Sequence, residues 1–456
     1  MSTFPSADQR ETIWSPHLRW ITAGAVALIF LAATEALAVT TVMPIVAADL
    51  HGEALYALAF AGTLATSVIG MVAVGALCDR IGPRKPLYAA VTLFFIGLLL
   101  AGFATSMPLL IAGRLVQGLG AGGQTVALYV VVARVYPPVL HGRVFAAFAA
   151  AWVVPSMVGP FLAGAVAQYL HWRWAFLGVA ILTAIAFLTI AIRLSHIDLG
   201  GGDPTAGSSL LLRLMFAVLV SVGAVIIGIT PELPPASGWP IAALGAAFIV
   251  WGIRPLVPRG TLRAARGLPS VVLMRGIVAG SFFAGEAYIP YLLMENFDFT
   301  PTWAGLALTA AALSWATGSA LQGRYGDRWS SRGMATVSIV LVLVAIGSVL
   351  WCAVTLTAPW VLVIGWGIGG GGMGLIYPRL TVLTLAYSLP QEQGFNSAAL
   401  TISDAAGSSA TIALAGLVAL SMPQVGNGFG AVYIFAAIVA LVAFVPGLRL
   451  QKPLEP

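Results

Sequence analysis

Fourteen apolar runs, each near the roughly 20 residues that cross a bilayer as a helix, decide what this chain can fold into. They lie near residues 20–43, 55–78, 86–104, 108–131, 144–169, 174–192, 211–230 and 239–256, then 269–293, 303–323, 334–354, 359–383, 396–420 and 428–448. None shows sustained period-2 alternation, so each reads as a helix and not as a barrel strand. Only 8% of residues are charged, against about 25% in a soluble domain, which makes lipid the expected solvent. The segment up to Arg19 is polar, and the run after it is too long and lacks the small-residue cleavage site of a removable signal.

The basic residues predict an orientation. With the N-terminus inside, Arg80, Arg84, Lys85, Arg134, Arg143, Arg193, Arg213, the arginines of the 254–266 stretch, Arg324, Arg328, Arg332 and Arg449 all fall on the inner side. The outer loops hold Arg173 as their one basic residue, beside Asp49, Glu53, Glu232, Glu295 and Asp298. By the positive-inside rule both termini are expected in the cytoplasm, with the chain in an inner or plasma membrane. The net charge of +6 is then a topology signal and not a nucleic-acid one.

Cofactor and enzyme chemistry find no support. Cys78 and Cys352 fall near opposite ends of spans, and the five histidines show no metal-ligand spacing. No nucleotide-binding loop is present, so neither catalytic nor metal residues nor an ATP site are expected.

Two halves are related. Ala33-Thr34-Glu35-Ala36 in the first span is echoed by Ala284-Gly285-Glu286-Ala287 in the ninth. Gly75 precedes Asp79-Arg80 by four residues, as Gly323 precedes Asp327-Arg328. Residues 1–195 and 267–456 thus read as six-helix bundles, with linkers and two extra spans in 196–266, around the glycine-rich stretch Leu199–Pro204 and the basic stretch Arg254–Arg266. Repeats of this kind place substrate sites at the repeat interface, near mid-membrane.

Several motifs carry a resemblance. Gly75-Ala-Leu-Cys-Asp79-Arg80-Ile-Gly82-Pro-Arg84-Lys85 resembles the loop between helices 2 and 3 of the major facilitator superfamily, in which Gly75 and Gly82 are expected to permit close approach and a tight turn. Arg114-Leu-Val-Gln117-Gly118-Leu-Gly120 resembles the family's R-x-x-Q-G-x-G pattern. Pro155-x-x-x-Gly159-Pro160-x-x-Ala163-Gly164 resembles its antiporter motif, departing at Pro155 and Ala163. Glu35 stands nine residues before Pro44 where the 14-helix drug:proton antiporters carry an aspartate. The resemblance implies a major facilitator fold and a cytoplasmic gate at Asp79, Arg80 and Arg84, echoed by Asp327 and Arg328. It also implies proton transfer near Arg114, and export by antiport.

Residue chemistry leads to the same region. Glu35, Glu286 and Asp404 fall deep in spans, where lipid penalises a charge and such groups are functional candidates. Arg114 is costly at that depth unless it faces a cavity or a partner, a packing salt bridge being the alternative. The expected mechanism has Glu35 and Glu286 taking protons or cationic substrate in turn, Glu35 being the favoured essential carrier and Asp404 either a third site or a packing acid. Gln117, Tyr288, Trp152 and Trp315, with Phe282 and Phe283, are the cavity candidates, although membrane aromatics also serve as packing. The glycines at 118–123 and 369–372 read as helix packing.

The functional expectation is a monomeric secondary active transporter exporting small amphipathic or drug-like molecules, with the proton gradient as energy source and no cofactor. Lipid export, or proton-coupled uptake of a specific metabolite, is the alternative; short outer loops weigh against lipid handling.

Overall fold

The computed structural model describes residues 12–197, 199, 210–389 and 392–450. Among them fourteen helices are long and apolar enough to cross a membrane, and each overlays one of the runs read from the sequence. They are α1 (Arg19–Asp49), α2 (Tyr56–Ile81), α3 (Arg84–Gly102), α4 (Met107–Val135), α5 (Pro138–Tyr169), α6 (Trp174–Ser195), α7 (Leu210–Ile229), α8 (Pro235–Ile253), α9 (Leu268–Phe297), α10 (Pro301–Tyr325), α11 (Ser331–Thr355), α12 (Pro359–Ala386), α13 (Gln393–Ser421) and α14 (Phe429–Val442), the last spanning only together with its flanking turns as Gly426–Gly447. No strand occurs among the described residues. The chain is an all-α, multi-pass integral membrane protein, since only helices or closed barrels satisfy their backbone polar groups in lipid. Of the stretch Leu199–Pro204 only Leu199 is described, while Arg254–Arg266 contains two short 3-10 turns.

Local signals explain where the helices begin. Proline occupies the first turn of α4, α5, α8, α9, α10 and α12, where its missing N–H has no intrahelical partner to lose. Thr300 and Ser330 cap α10 and α11 by accepting from the backbone N–H groups of Trp303 and Gly333. The tight turn between α2 and α3 rests on Gly82, whose φ of +79° is open to glycine without strain.

Packing repeats the duplication seen in sequence. Helix α4 wedges between α2 and α3, and α12 between α10 and α11. In each wedge, glycines let backbone touch backbone, the mode that membrane helices use where lipid offers no hydrophobic drive. A Cβ on Gly118 would overlap the carbonyl of Thr63, on Gly120 the backbone of Phe94, and on Gly122 the carbonyl of Ser67. Correspondingly, Gly370 abuts the carbonyl of Ala311, Gly372 that of Ser338 and Gly374 that of Trp315. The packing reading of both glycine runs therefore holds. The extra helix α7 lies against both α2 and α13, so it touches both halves.

The first and last six helices meet on one side. Among the described residues, every hydrogen bond between them lies in the half of the bundle away from the N-terminus. Tyr56 donates to the carbonyl of Ala287, Ser409 to that of Ala61, Thr309 to that of Met157 and Thr302 to the Gln168 side chain. Helices α5 and α10 also interlock there, Gly164 against the backbone of Pro301 and Gly305 against the carbonyl of Pro160.

These contacts separate two kinds of glycine. Gly122→Val must push α4 off α2 and should lower stability by about 3 kcal/mol, the upper end for overpacking. Gly159→Ala, whose new Cβ would meet the Leu37 Cβ at an ordinary 3.9 Å, should lose nothing. Thermal unfolding midpoints in detergent check both; equal midpoints for the two variants would contradict the wedge.

Candidate functional site

Three helices converge on the first buried charge. Arg114 and Gln117 stand three residues apart on α4 and share a face, while Glu35 comes from the middle of α1 and Ala59 from the start of α2. The Arg114 Nη1 donates to the Glu35 carboxylate and to Gln117 Oε1 at 2.8 Å, and its Nε donates to the carbonyl of Ala59 at 3.1 Å. Glu35 is 3% exposed, Arg114 4% and Gln117 0%. Such a pair, closed off and supplied with extra hydrogen bonds, is how a charge survives where water is absent. The Gln117 Nε2 is left without a partner, a buried donor able to take a water or a ligand oxygen.

A second pair lies in the other half. Arg275 of α9 donates through Nε to Asp404 Oδ2 of α13 at 2.7 Å and through Nη1 to the carbonyl of Tyr377 of α12 at 3.2 Å. The Tyr377 hydroxyl donates to Asp404 Oδ1 at 3.3 Å, and the Arg275 guanidinium sits 3.4 Å from the Tyr377 ring centroid, a cation–π contact. The Arg275 and Asp404 side chains keep 16% and 20% of their surface exposed, so this pair is reachable where Glu35 and Arg114 are not. Neither Arg275 nor Tyr377 was expected from the sequence. Arg275 stands seven residues into α9, and the depth argument that singled out Arg114 applies equally to it.

Glu286 is placed differently. It is partly buried on α9, and its Oε2 accepts from the Trp366 indole N–H at 3.4 Å, a long hydrogen bond. Among the described residues no cation pairs with it. An unbroken run of rings leads from this carboxylate to the second pair: Trp366 stacks on Phe282 at 4.6 Å, Phe282 meets Trp315 at 5.8 Å, and Trp315 meets Tyr377 at 4.9 Å. Phe283 stacks on Trp315 at 6.3 Å. Trp315, Phe282 and Phe283 thus join the site.

Other expected residues lie elsewhere. Tyr288 is two positions from Glu286, and residues so spaced face different sides of a helix; its ring packs 5.3 Å from Tyr56 instead. Trp152 is 48% exposed and makes no ring contact among the described residues. Gly159 makes no close approach, whereas Pro160 and Gly164 take part in the α5–α10 seam.

In the loop after α2, Gly75 is not a point of close approach either, since a Cβ there would meet the Val126 side chain at 3.5 Å. Asp79 is exposed and without an ion pair among the described residues, Arg80 is half-buried, and Arg84 donates to the carbonyl of Ile197 after α6. In the matching loop Arg328 is exposed and lies 5.6 Å from the Tyr325 ring. The side chain of Asp327 lies outside the described residues. Cys78 and Cys352 are free and buried.

Known proteins share this fold. The model of the Major Facilitator Superfamily matches residues 25–285 and 271–456. A protein of Mycobacterium tuberculosis named "Probable multidrug-efflux transporter Rv1634" is 28% identical over 449 residues, which cover 94% of this chain and 90% of that protein. An auto-inhibited peptide transporter of the POT family superposes with a TM-score of 0.69 at 17% identity, covering 93% of this chain and 96% of the other. A mutant of the nucleoside transporter NupG superposes with a TM-score of 0.64 at 14% identity, covering 94% and 99%. At those identities the two solved structures speak to the fold alone.

The Glu35–Arg114 pair makes a stability prediction. Arg114→Met strands a buried carboxylate and should cost on the order of 3–5 kcal/mol. Adding Glu35→Gln removes the stranded charge and should restore most of that loss. Thermal unfolding of both single variants and the double variant reads the coupling; additive losses would mean that the two side chains do not interact.

Proposed function

The chain belongs to the Major Facilitator Superfamily, and on that premise we propose that this transporter is a proton-coupled antiporter exporting small amphipathic or drug-like molecules by alternating access. It is not an enzyme, and its substrate is a small molecule. The multidrug-efflux relative supports export. The positive-inside distribution supports cytoplasmic termini in a plasma or inner membrane. Residues 1–195 and 267–456 are the two moving bodies, with 196–266 between them, in a monomer that needs no cofactor. With its outer side sealed and its Asp404–Arg275 pair reachable, the described conformer is the one open to the cytoplasm.

One observation carries the mechanism: of the three carboxylates deep in the spans, Glu286 alone has no cationic partner among the described residues. Protonating Glu35 would leave the Arg114 guanidinium buried and unpaired, a loss on the order of 3–5 kcal/mol. Protonating Asp404 would likewise break its contact with Arg275. Glu286 has no such partner to lose, and either a proton or a cationic substrate relieves its uncompensated charge. Competition between those two occupants is the coupling. Sequence alone favours Glu35 as the carrier; the ion pair moves the proposal to Glu286, with Glu35 and Arg114 holding α1, α2 and α4 in register.

In the cycle, substrate loads from the cytoplasm onto the unprotonated site beside the Phe282–Trp315–Tyr377 wall. The halves then rock, the α5–α10 and α2–α13 seams part, and a proton entering from outside displaces substrate. The two states differ in which face is sealed, as in other repeat-built transporters.

Ethidium transport into proteoliposomes tests the assignment. Glu286→Gln removes both the titratable group and the cation's counter-charge, so it should abolish pH-gradient-driven accumulation and weaken ethidium counterflow as well, whereas Glu35→Gln should keep its response to the pH gradient. If Glu286→Gln accumulates ethidium as the parent does, Glu286 is not the carrier.

A further inference from the structure

A cavity of about 200 Å³ opens on the face away from the N-terminus, distinct from the buried acids, where the two halves meet. Its walls include Glu53 and Tyr56 from the start of α2, Tyr288, Tyr291 and Glu295 from the end of α9, and Phe429 from the start of α14. We propose that it is a second binding site, specific for a quaternary ammonium or similarly soft organic cation. The proposal rests on the transport reading only in placing this site at the outer closure between the two halves.

Geometry and charge point to that ligand. The rings do not lie in one stack: Tyr56 is tilted by 52° to Tyr288 at 5.3 Å and by 42° to Tyr291 at 5.1 Å, and Tyr291 meets Phe429 edge-on, at 86° and 5.2 Å. The four rings touch one another and together line the hollow as an aromatic wall, a half-cage against whose faces a quaternary ammonium group can be held by its positive charge. Glu53 and Glu295 are both exposed, neither has an ion pair among the described residues, and both act electrostatically on the Tyr291 hydroxyl. A compact, strongly hydrated metal ion fits less well, because no group of three or more histidine, cysteine or acidic side chains converges among the described residues.

The surrounding surface reinforces the choice. This face carries Asp49, Glu53, Glu232, Glu295 and Asp298 against one basic residue, Arg173, which itself lies 3.6 Å from Asp49. Such a field concentrates cations at the cavity mouth.

Position gives the site its role. Glu53 and Tyr56 belong to the first half, and the rest of the cage to the second. Tyr56 also donates to the carbonyl of Ala287, and Gly416 of α13 lets α13 reach Ala57 at the cavity floor. The cage is therefore assembled while this face is sealed and is split when the halves part. A cation that enters this cavity from outside stabilises the sealed state, and opening releases it. Tyr291 stands five residues beyond Glu286 on α9, about 7.5 Å along the axis at 1.5 Å per residue, so the two sites are successive and not shared.

Benzyltrimethylammonium binding to the purified full chain in nanodiscs, read by isothermal titration calorimetry, tests this. The background is Glu286→Gln, which removes the central carboxylate. Binding should persist there, fall at least tenfold when Glu53→Gln and Glu295→Gln are added, and fall similarly with Tyr291→Leu. Neopentylbenzene, the neutral isostere, should not compete. Glu53 and Glu295 are exposed, so their variants should keep the parent's melting temperature. Loss of binding in Glu286→Gln alone, a drop of less than tenfold with the two glutamine substitutions, or competition by neopentylbenzene would overturn the cage. Ethidium accumulation by the otherwise parental Glu53→Gln/Glu295→Gln protein reads the transport mechanism separately: failure of the cage leaves the Glu286 assignment standing, and the reverse.

Discussion

Lipid can neither solvate a charge nor hydrogen-bond a backbone, and every feature of this protein answers that constraint. Helices settle the backbone, and side-chain partners settle the charges. Arg114 is met by Glu35, Gln117 and a carbonyl; Arg275 by Asp404, a tyrosine ring and a carbonyl; Arg379 by the Ser331 hydroxyl. Against that background the solitary Glu286 stands out. A group left uncompensated where its buried peers are matched is the one whose charge a proton or a cation would relieve.

Removing hydrophobic drive from helix association leaves van der Waals contact and hydrogen bonding to hold the bundle. This is why glycine, at 51 residues, concentrates where helices touch. The two wedges, α4 and α12, are built from the same backbone-to-backbone contacts and make each half stiff. Contacts between the halves run along two crossings, α5 on α10 and α2 on α13, and the four side-chain hydrogen bonds between them all lie on one side among the described residues. Halves joined on one side are suited to rocking, and α7, packed on both α2 and α13, spans their junction.

Much of this was legible in the sequence because lipid imposes a length and an absence of charge that leave little choice. All fourteen spans overlay predicted runs, and the wedge glycines were read as packing. What escaped depends on rotation about helix axes. Residue count places Glu286 and Tyr288 side by side, yet on the helix they face a tryptophan and a tyrosine cluster respectively. Depth alone identifies Asp404 as unusual, but its partner Arg275 lies 129 residues away, a pairing no local pattern announces. Gly75 fits its motif without touching a neighbouring backbone, while Gly305, outside any motif, is pressed against one.

The halves share a packing plan but not a charge plan. At the first half's centre the acid is sealed by an arginine from α4; at the equivalent place in the second half the acid faces an indole from α12, while Arg275, eleven residues or about 16 Å along α9 from Glu286 at 1.5 Å each, pairs with Asp404 instead. A symmetric arrangement would have left both central acids equally matched, with nothing to distinguish loaded from empty. Where α4 sets Arg114 against Glu35, the corresponding α12 sets Trp366 against Glu286, which leaves that carboxylate without a cation among the described residues. Glu286 lies at one end of a run of rings that reaches Tyr377 beside Asp404 and Arg275, and in the proposed mechanism substrate and proton compete for that one group.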